Sequence, residues 1–292
     1  MKYKYLGKTR EKVSAIGLGT WQLGDITEEK IDAIRFGLDN GITLIDTAEI
    51  YGTEGLVGKA IKGRTKPFIA TKVWPSNFGY DSVIKACNAS LKRLGIKQID
   101  LYQLHWPNKN IPIKETMSAM ERLVDEGKIR YIGVSNFRAD EIERANDALK
   151  SHEVVSDQVE YSLIVRGAEK NVLPYCEKRG MTLIAYSPLG HGRLFTKKYV
   201  GLLETLKQIG ENYGRSPVQI ALNWLISKEN VIAIPKASSK EHVEDEVGAA
   251  DFGLKKEDIE DIDRRSEGFR SRSLYQMVGP AVSVYLKFKN IF

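Results

Sequence analysis

Short, nearly unbroken apolar runs alternate with longer stretches whose apolar residues recur at helical spacing, from about residue 15 to residue 250. The runs predict strands at 15–18, 44–46, 68–72, 99–105, 129–135, 156–160, 182–187 and 231–235. Helices are predicted between and after them, at 28–40, 54–62, 81–94, 113–126, 139–150, 169–179, 217–227 and 240–250. Several runs are apolar at almost every position, as parallel strands covered on both faces should be. Gly41, Gly95, Gly127 and Gly180 each follow a predicted helix, where the reversal calls for a left-handed residue. Ahead of the repeat, residues 2–6 and 12–14 predict a hairpin turned through 7–10.

Eight strand–helix units in 292 residues match an α/β protein of the (β/α)8 type, the TIM barrel. An open doubly wound sheet shares the alternation. Two features favour the barrel. No composition break or long linker divides the chain, so residues 1–292 are expected to form a single domain. The segment Gly17-Leu18-Gly19-Thr20-Trp21-Gln22-Leu23-Gly24 imitates a dinucleotide fingerprint, but its third glycine comes two places late. Two stretches depart from the repeat. A Gly-containing loop at 188–201 leads into an additional helix at 202–213, and another helix follows at 255–264. The end of the chain, 265–292, reads as a tail or substrate loop carrying Arg265, Arg270 and Arg272.

Composition narrows the classes. No apolar run approaches the ~20 residues needed to span a bilayer, and the start of the chain lacks the apolar core of a signal peptide. No membrane role and a cytoplasmic location are therefore expected. The net charge of +6 suits an anionic ligand, but the basic residues are interspersed with acids, which argues against nucleic acid. Cys87 and Cys176 are isolated, giving neither a disulfide framework nor metal-ligand spacing, and read as core thiols. A monomer is the default expectation.

In a barrel of this kind, working residues sit at the C-terminal ends of strands, where the loops converge. The second repeat strand ends in Asp46 with Tyr51 just beyond, the third in Lys72 and the fourth in His105. Singly each has a structural reading, but together they put an acid, a phenol, an amine and an imidazole at one mouth. Free tyrosine has a pKa of about 10, and a neighbouring ammonium stabilises the phenolate. Lys72 is thus expected to lower the Tyr51 pKa, with Asp46 keeping Lys72 charged and His105 hydrogen-bonding a substrate oxygen. This set can protonate an alkoxide as it forms on a carbonyl.

These residues, with Thr71-Lys72, Leu104-His105-Trp106-Pro107, Gly133-Val134-Ser135-Asn136-Phe137 and Tyr186-Ser187-Pro188-Leu189-Gly190, resemble the aldo-keto reductases from about residue 3 to 253. The resemblance implies NADPH-dependent reduction of aldehydes or ketones, with Tyr51 as general acid assisted by Lys72, Asp46 and His105. It further implies that Ser135, Asn136 and Gln158 hold the nicotinamide carboxamide and that Tyr186 stacks on the ring. The loop Ser187, Pro188, Leu189, Gly190, Gly192, Arg193 and Leu194 would cradle the pyrophosphate. Ile234, Lys236, Ala237, Ser238 and Ser239 would hold the 2′-phosphate, and Thr20, Trp21 and Asp46 complete the implied cofactor set.

The pattern departs from the family near the 2′-phosphate. His242 stands where many members carry arginine, and Asp245 and Glu246 stand where Glu and Asn are usual. A neutral imidazole lacks the bidentate clamp of a guanidinium. NADPH is therefore expected to be preferred only moderately, with NADH as a second reductant.

Trp21, Trp74 and Trp106 follow three of the strands and are expected to wall the mouth beside Tyr51 and His105; Trp224 is expected in the core. Such a rim suits a small-molecule carbonyl substrate of aromatic or medium length. The competing class is an NADPH-binding regulatory subunit of a partner protein.

Overall fold

In the computed structural model, which describes residues 1–236 and 238–267, the chain begins with an antiparallel hairpin of β1 (Tyr3–Tyr5) and β2 (Lys12–Ser14). Eight parallel strands follow: β3 (Leu18–Gly19), β4 (Leu44–Asp46), β5 (Phe68–Val73), β6 (Ile99–Leu104), β7 (Ile129–Ser135), β8 (Val154–Glu160), β9 (Thr182–Tyr186) and β10 (Val231–Ile234). They pair in sequence order. Bridges from Ile16 to Ala233 and from Gly19 to Lys236 bring the first segment back against β10 and close the barrel. Ala237 and the tail from residue 268 onward, both singled out above, lie outside the described residues.

Helices surround the strands: α1 (Glu28–Asp39), α2 (Glu54–Ile61), α3 (Tyr80–Leu94), α4 (Ile113–Asp125), α5 (Ala139–Asp147), α6 (Val172–Arg179), α7 (Val200–Tyr213), α8 (Pro217–Ile226), α9 (Lys240–Gly248) and α10 (Lys256–Ser266). The helix-facing side chains of the strands and the inward stripes of the helices share one core, to which Ile31, Ile34, Ile45 and Ile69 belong. A second cluster fills the barrel interior, where Leu6 and Val13 of the hairpin meet Leu44, Phe68, Leu101 and Ile232. The hairpin thus plugs the floor. Lys4 secures it, its ammonium donating to the carbonyls of Ile226, Lys228 and Val231 at 2.8, 2.5 and 2.7 Å.

Two predicted helices are shorter than expected. The stretch 139–150 leaves the helix after Asp147 because Glu121 Oε1 of α4 captures the amides of Lys150 and Ser151 at 2.7 and 2.8 Å. The stretch 169–179 splits into a 3-10 turn at Gly167–Lys170 and α6. Glu169 is drawn out of the helix by the Arg166 guanidinium and the Tyr161 hydroxyl, at 2.8 and 2.6 Å. The predicted first strand also shifts, since Ala15 and Gly17 bond to β10 and only Leu18–Gly19 pairs with β4. Trp224, Cys87 and Cys176 are all buried, and burial pushes the Cys87 thiol up to about 12. Among the described residues no helix is long and apolar enough to cross a membrane.

Candidate active site

The pairing of β4, β5 and β6 puts Asp46 opposite Ala70 and Lys72 opposite Gln103, so the strand ends converge on one side of the barrel. Lys72 is fully buried. Its ammonium donates to Asp46 Oδ1 at 2.6 Å, to the Thr47 carbonyl at 2.8 Å and to the Tyr51 hydroxyl oxygen at 3.3 Å. An ammonium has three N–H donors, and all three are used. The other oxygen of Asp46 accepts from Gln158 Nε2 at 2.7 Å and Gln103 Nε2 at 3.3 Å. Each buried charge therefore has an opposite charge and further hydrogen bonds, the condition for a tolerable buried ion pair.

Tyr51 ends a 3-10 turn, Glu49–Tyr51, that Gly52 closes in the left-handed region at φ 71°. Its hydroxyl lies 3.3 Å from His105 Nε2. Burial and the Asp46 carboxylate hold the phenol well above its ordinary range. The net shift of Tyr51 is thus upward, opposite to the direction expected from Lys72 alone. Loss of hydration disfavours the phenolate more than one ammonium at 3.3 Å favours it. Burial likewise lowers Lys72 itself, against the pull of Asp46. His105 is held well below its usual value by burial and by the Lys72 charge, so its ring is neutral. Among the described residues its Nδ1 has no hydrogen-bond partner.

Asp46, Tyr51 and His105 line one end of a cavity of about 890 Å³, with Lys72 buried behind them. Trp74 and Trp106 line it beside them, and Trp74 meets the His105 ring edge-on at 5.2 Å. Trp21 lies across the mouth, its ring against His191 at 5.4 Å. From there the cavity runs past Ser135, Asn136, Gln158 and Tyr186 to Ser187, Pro188 and Leu189, and on to Ile234, Lys236, Ser238, His242, Asp245 and Glu246.

The model of the aldo/keto reductase family matches residues 15–267. This chain belongs to that family. It is 37% identical to a methylglyoxal reductase of Escherichia coli, over 90% of this chain and 95% of the relative. Among solved structures, a thermostable aldo-keto reductase in complex with an inhibitor shares 41% identity at a TM-score of 0.85, covering 91% of this chain and all of the other. An aldo-keto reductase of Klebsiella pneumoniae in complex with NADPH shares 36% identity at a TM-score of 0.84, covering 94% and 99%. The protein is accordingly an oxidoreductase of aldehydes and ketones.

Several residues expected around the reductase's cofactor bond to one another. Asn136 donates from Nδ2 to the His105 carbonyl and to Ser135 Oγ, and accepts the Tyr186 hydroxyl at Oδ1. Ser135 in turn donates to the Gln158 carbonyl at 2.8 Å. Thr20, buried beside Asp46, donates to its carbonyl at 3.0 Å. Asn136, Ser187 and His191 all adopt positive φ, 63°, 49° and 57°. That conformation is costly for non-glycine residues and gathers at functional sites.

Others do not reach the cavity. Arg193 turns to Glu160 at 3.2 Å and to the Gly190 carbonyl at 2.9 Å. Leu194 is buried in the core, Gly190 packs against Ile164, and Ser239 caps α9 through the His242 amide. Arg264, near the tail, pairs with Asp261 on an exposed surface. Cavity-lining residues that the sequence reading left out include Gln22, Ile50, His191, Phe195 and Val218. Gln103 was also missed, although it shares a strand face with His105 two places on, and strand periodicity could have found it.

Proposed function

We propose that this aldo-keto reductase reduces small carbonyl compounds, 2-oxoaldehydes foremost, with NADPH as reductant and Tyr51 as proton donor. The bonding of Tyr51 carries the reading. Its oxygen accepts from Lys72, and in the tautomer of His105 that carries the proton on Nε2 it accepts from that ring as well, so that the hydroxyl proton is left to point into the cavity.

The cavity suits a dinucleotide phosphate. Ser135, Asn136, Gln158 and Tyr186 would hold the nicotinamide end, and the left-handed turns from Ser187 to Gly192 offer backbone amides to the diphosphate. Lys236, Ser238 and His242, at the N-terminus of α9, offer charge and hydrogen bonds to the 2′-phosphate. Thr20 and Trp21 wall the space between, and Asp245 and Glu246 close its far end. When bound, NADPH supplies the hydride.

A carbonyl oxygen placed between Tyr51 and His105 gains negative charge as its carbon is reduced. Tyr51 then transfers its hydroxyl proton to that oxygen. The phenolate left behind accepts the Lys72 N–H, whose charge Asp46 keeps in place. A neutral His105 donates from Nε2 to the same substrate oxygen and orients it. The E. coli relative is a methylglyoxal reductase, and the tight corner between Tyr51, Trp74 and His105 favours a compact substrate.

Tyr51→Phe tests the reading. It should bind NADPH as the wild type does and lose roughly 10³-fold or more in turnover of methylglyoxal, within the range general acids contribute. Turnover within tenfold of wild type would refute the assignment.

A further inference from the structure

Glu49 lies two residues before Tyr51, in a 3-10 turn that has no buried residue of its own. Ile50, between them, is 51% exposed. Among the described residues no apolar anchor therefore fixes the turn that carries the acid.

A polar tie is present instead. Glu49 Oε1 accepts the backbone amide of Trp74 at 2.5 Å and Nδ2 of Asn77 at 3.0 Å. Both donors belong to the loop after β5, so one oxygen joins the turn of the proton donor to the wall of the pocket. The tie closes a circuit. Trp74 meets the His105 ring edge-on at 5.2 Å, and His105 meets the Tyr51 ring at 5.4 Å with its Nε2 3.3 Å from the hydroxyl. Asn108 holds the far side of the same loop, donating to the Pro75 carbonyl at 2.8 Å.

We propose that Glu49 is a positioning residue that sets the spacing of Tyr51, His105 and Trp74, and with it the geometry in which a carbonyl receives its proton. It reaches neither substrate nor the hydroxyl. It works through the two N–H bonds on Oε1, so the position needs an acceptor oxygen at the reach of a glutamate side chain, whatever its charge. The inference rests on Tyr51 being the acid.

Length and charge separate this role from a generic contribution to folding. Glu49→Gln keeps an acceptor at the same reach without charge. Glu49→Asp keeps the charge but withdraws the acceptor by one methylene. Misplacement on that scale costs about 10²-fold in well-oriented reactions. Glu49→Asp and Glu49→Ala should therefore lose about 10- to 100-fold in kcat for methylglyoxal, with an NADPH Kd within about twofold of wild type. Glu49→Gln should restore kcat to within about threefold, as expected when the acceptor's reach is preserved.

Melting curves and near-ultraviolet circular dichroism, which reads the packing of the aromatic side chains, are recorded on each variant so that kcat refers to folded protein. If Glu49→Ala does not fold, the Asp and Gln pair decides alone. Wild-type kcat in Glu49→Asp, or a loss in Glu49→Gln as large as in Glu49→Asp, overturns the proposal. Tyr51→Phe run in parallel keeps the two readings apart. An inactive Tyr51→Phe beside an unaffected Glu49→Asp removes Glu49 alone, whereas an active Tyr51→Phe removes the acid assignment.

Discussion

Lys72 Nζ lies 2.6 Å from Asp46 Oδ1 and 3.3 Å from the Tyr51 hydroxyl, both reached from a fully buried position. The proposed chemistry thus gives the lysine two functions, which substitution should separate. Lys72→Met should lower turnover roughly 10²- to 10⁴-fold, since the phenolate loses its ammonium partner. It should also destabilise the fold by about 3–5 kcal/mol, because Asp46 stays buried without its counter-charge. Adding Asp46→Asn to that variant should recover most of the stability and none of the turnover. Denaturant titration and steady-state kinetics on the single and double variants check both halves. Recovered turnover would contradict the role given to Lys72.

Proton transfer from Tyr51 needs the neutral phenol. Burial and Asp46 keep its pKa well above the usual value, so the neutral form persists to high pH. Reduction should then show no loss of kcat from about pH 6 to 9, and the basic limb should fall above ~10, the ordinary tyrosine pKa. His105 is depressed by burial and by Lys72, so no limb should appear near ~6.5, where free histidine titrates. A pH profile of kcat for methylglyoxal reduction tests this directly. A limb centred between those two values would show that the resting electrostatics do not govern the reaction.

The strand ends were legible because their chemistry interrupts apolar runs. Asp46, Lys72 and His105 each close such a run, and β4 and β7 have the expected bounds. What escaped depends on partners far apart in sequence. Glu121 shortens α5 by binding amides about thirty residues away. Glu49 matters through Trp74 and Asn77, and Arg193 is claimed by Glu160. The sign of the Tyr51 shift escaped for another reason. Neighbouring charges can be read from motifs, but the extent of burial emerges only when the barrel closes.

Glu246 offers a test of what burial does to a carboxyl group. It is 5% exposed, its Oε2 has no partner among the described residues, and burial together with Asp245 raises its pKa well above the usual value. Above ~4.3 the unfolded chain ionises at this position while the folded protein keeps the proton. Glu246 therefore lowers stability progressively as pH rises from there toward its folded pKa. Glutamine does not titrate. Glu246→Gln should gain on the wild type between pH 5 and 8, the two curves converging in stronger acid. Unfolding free energies from urea titration at three pH values measure the gap. A gap that widens toward acid would reverse the sign and reject the argument.

The proposed reading makes His242 a determinant of the strength of cofactor choice. Its Nδ1 lies 2.7 Å from Ser238 Oγ at the N-terminus of α9, which leaves a single ring nitrogen to face a 2′-phosphate. An arginine there would present a fork matched to two phosphate oxygens and a permanent charge. His242→Arg should tighten NADPH by about tenfold, the equivalent of one charged hydrogen bond of ~1.5 kcal/mol. NADH has no 2′-phosphate, so its affinity should stay within about twofold, as no new bond forms. Quenching of tryptophan fluorescence gives both constants on one protein, Trp21 lying on the cavity wall. An equal gain for both cofactors would mean that residue 242 acts through the fold of α9, and the moderate NADPH preference would need another cause.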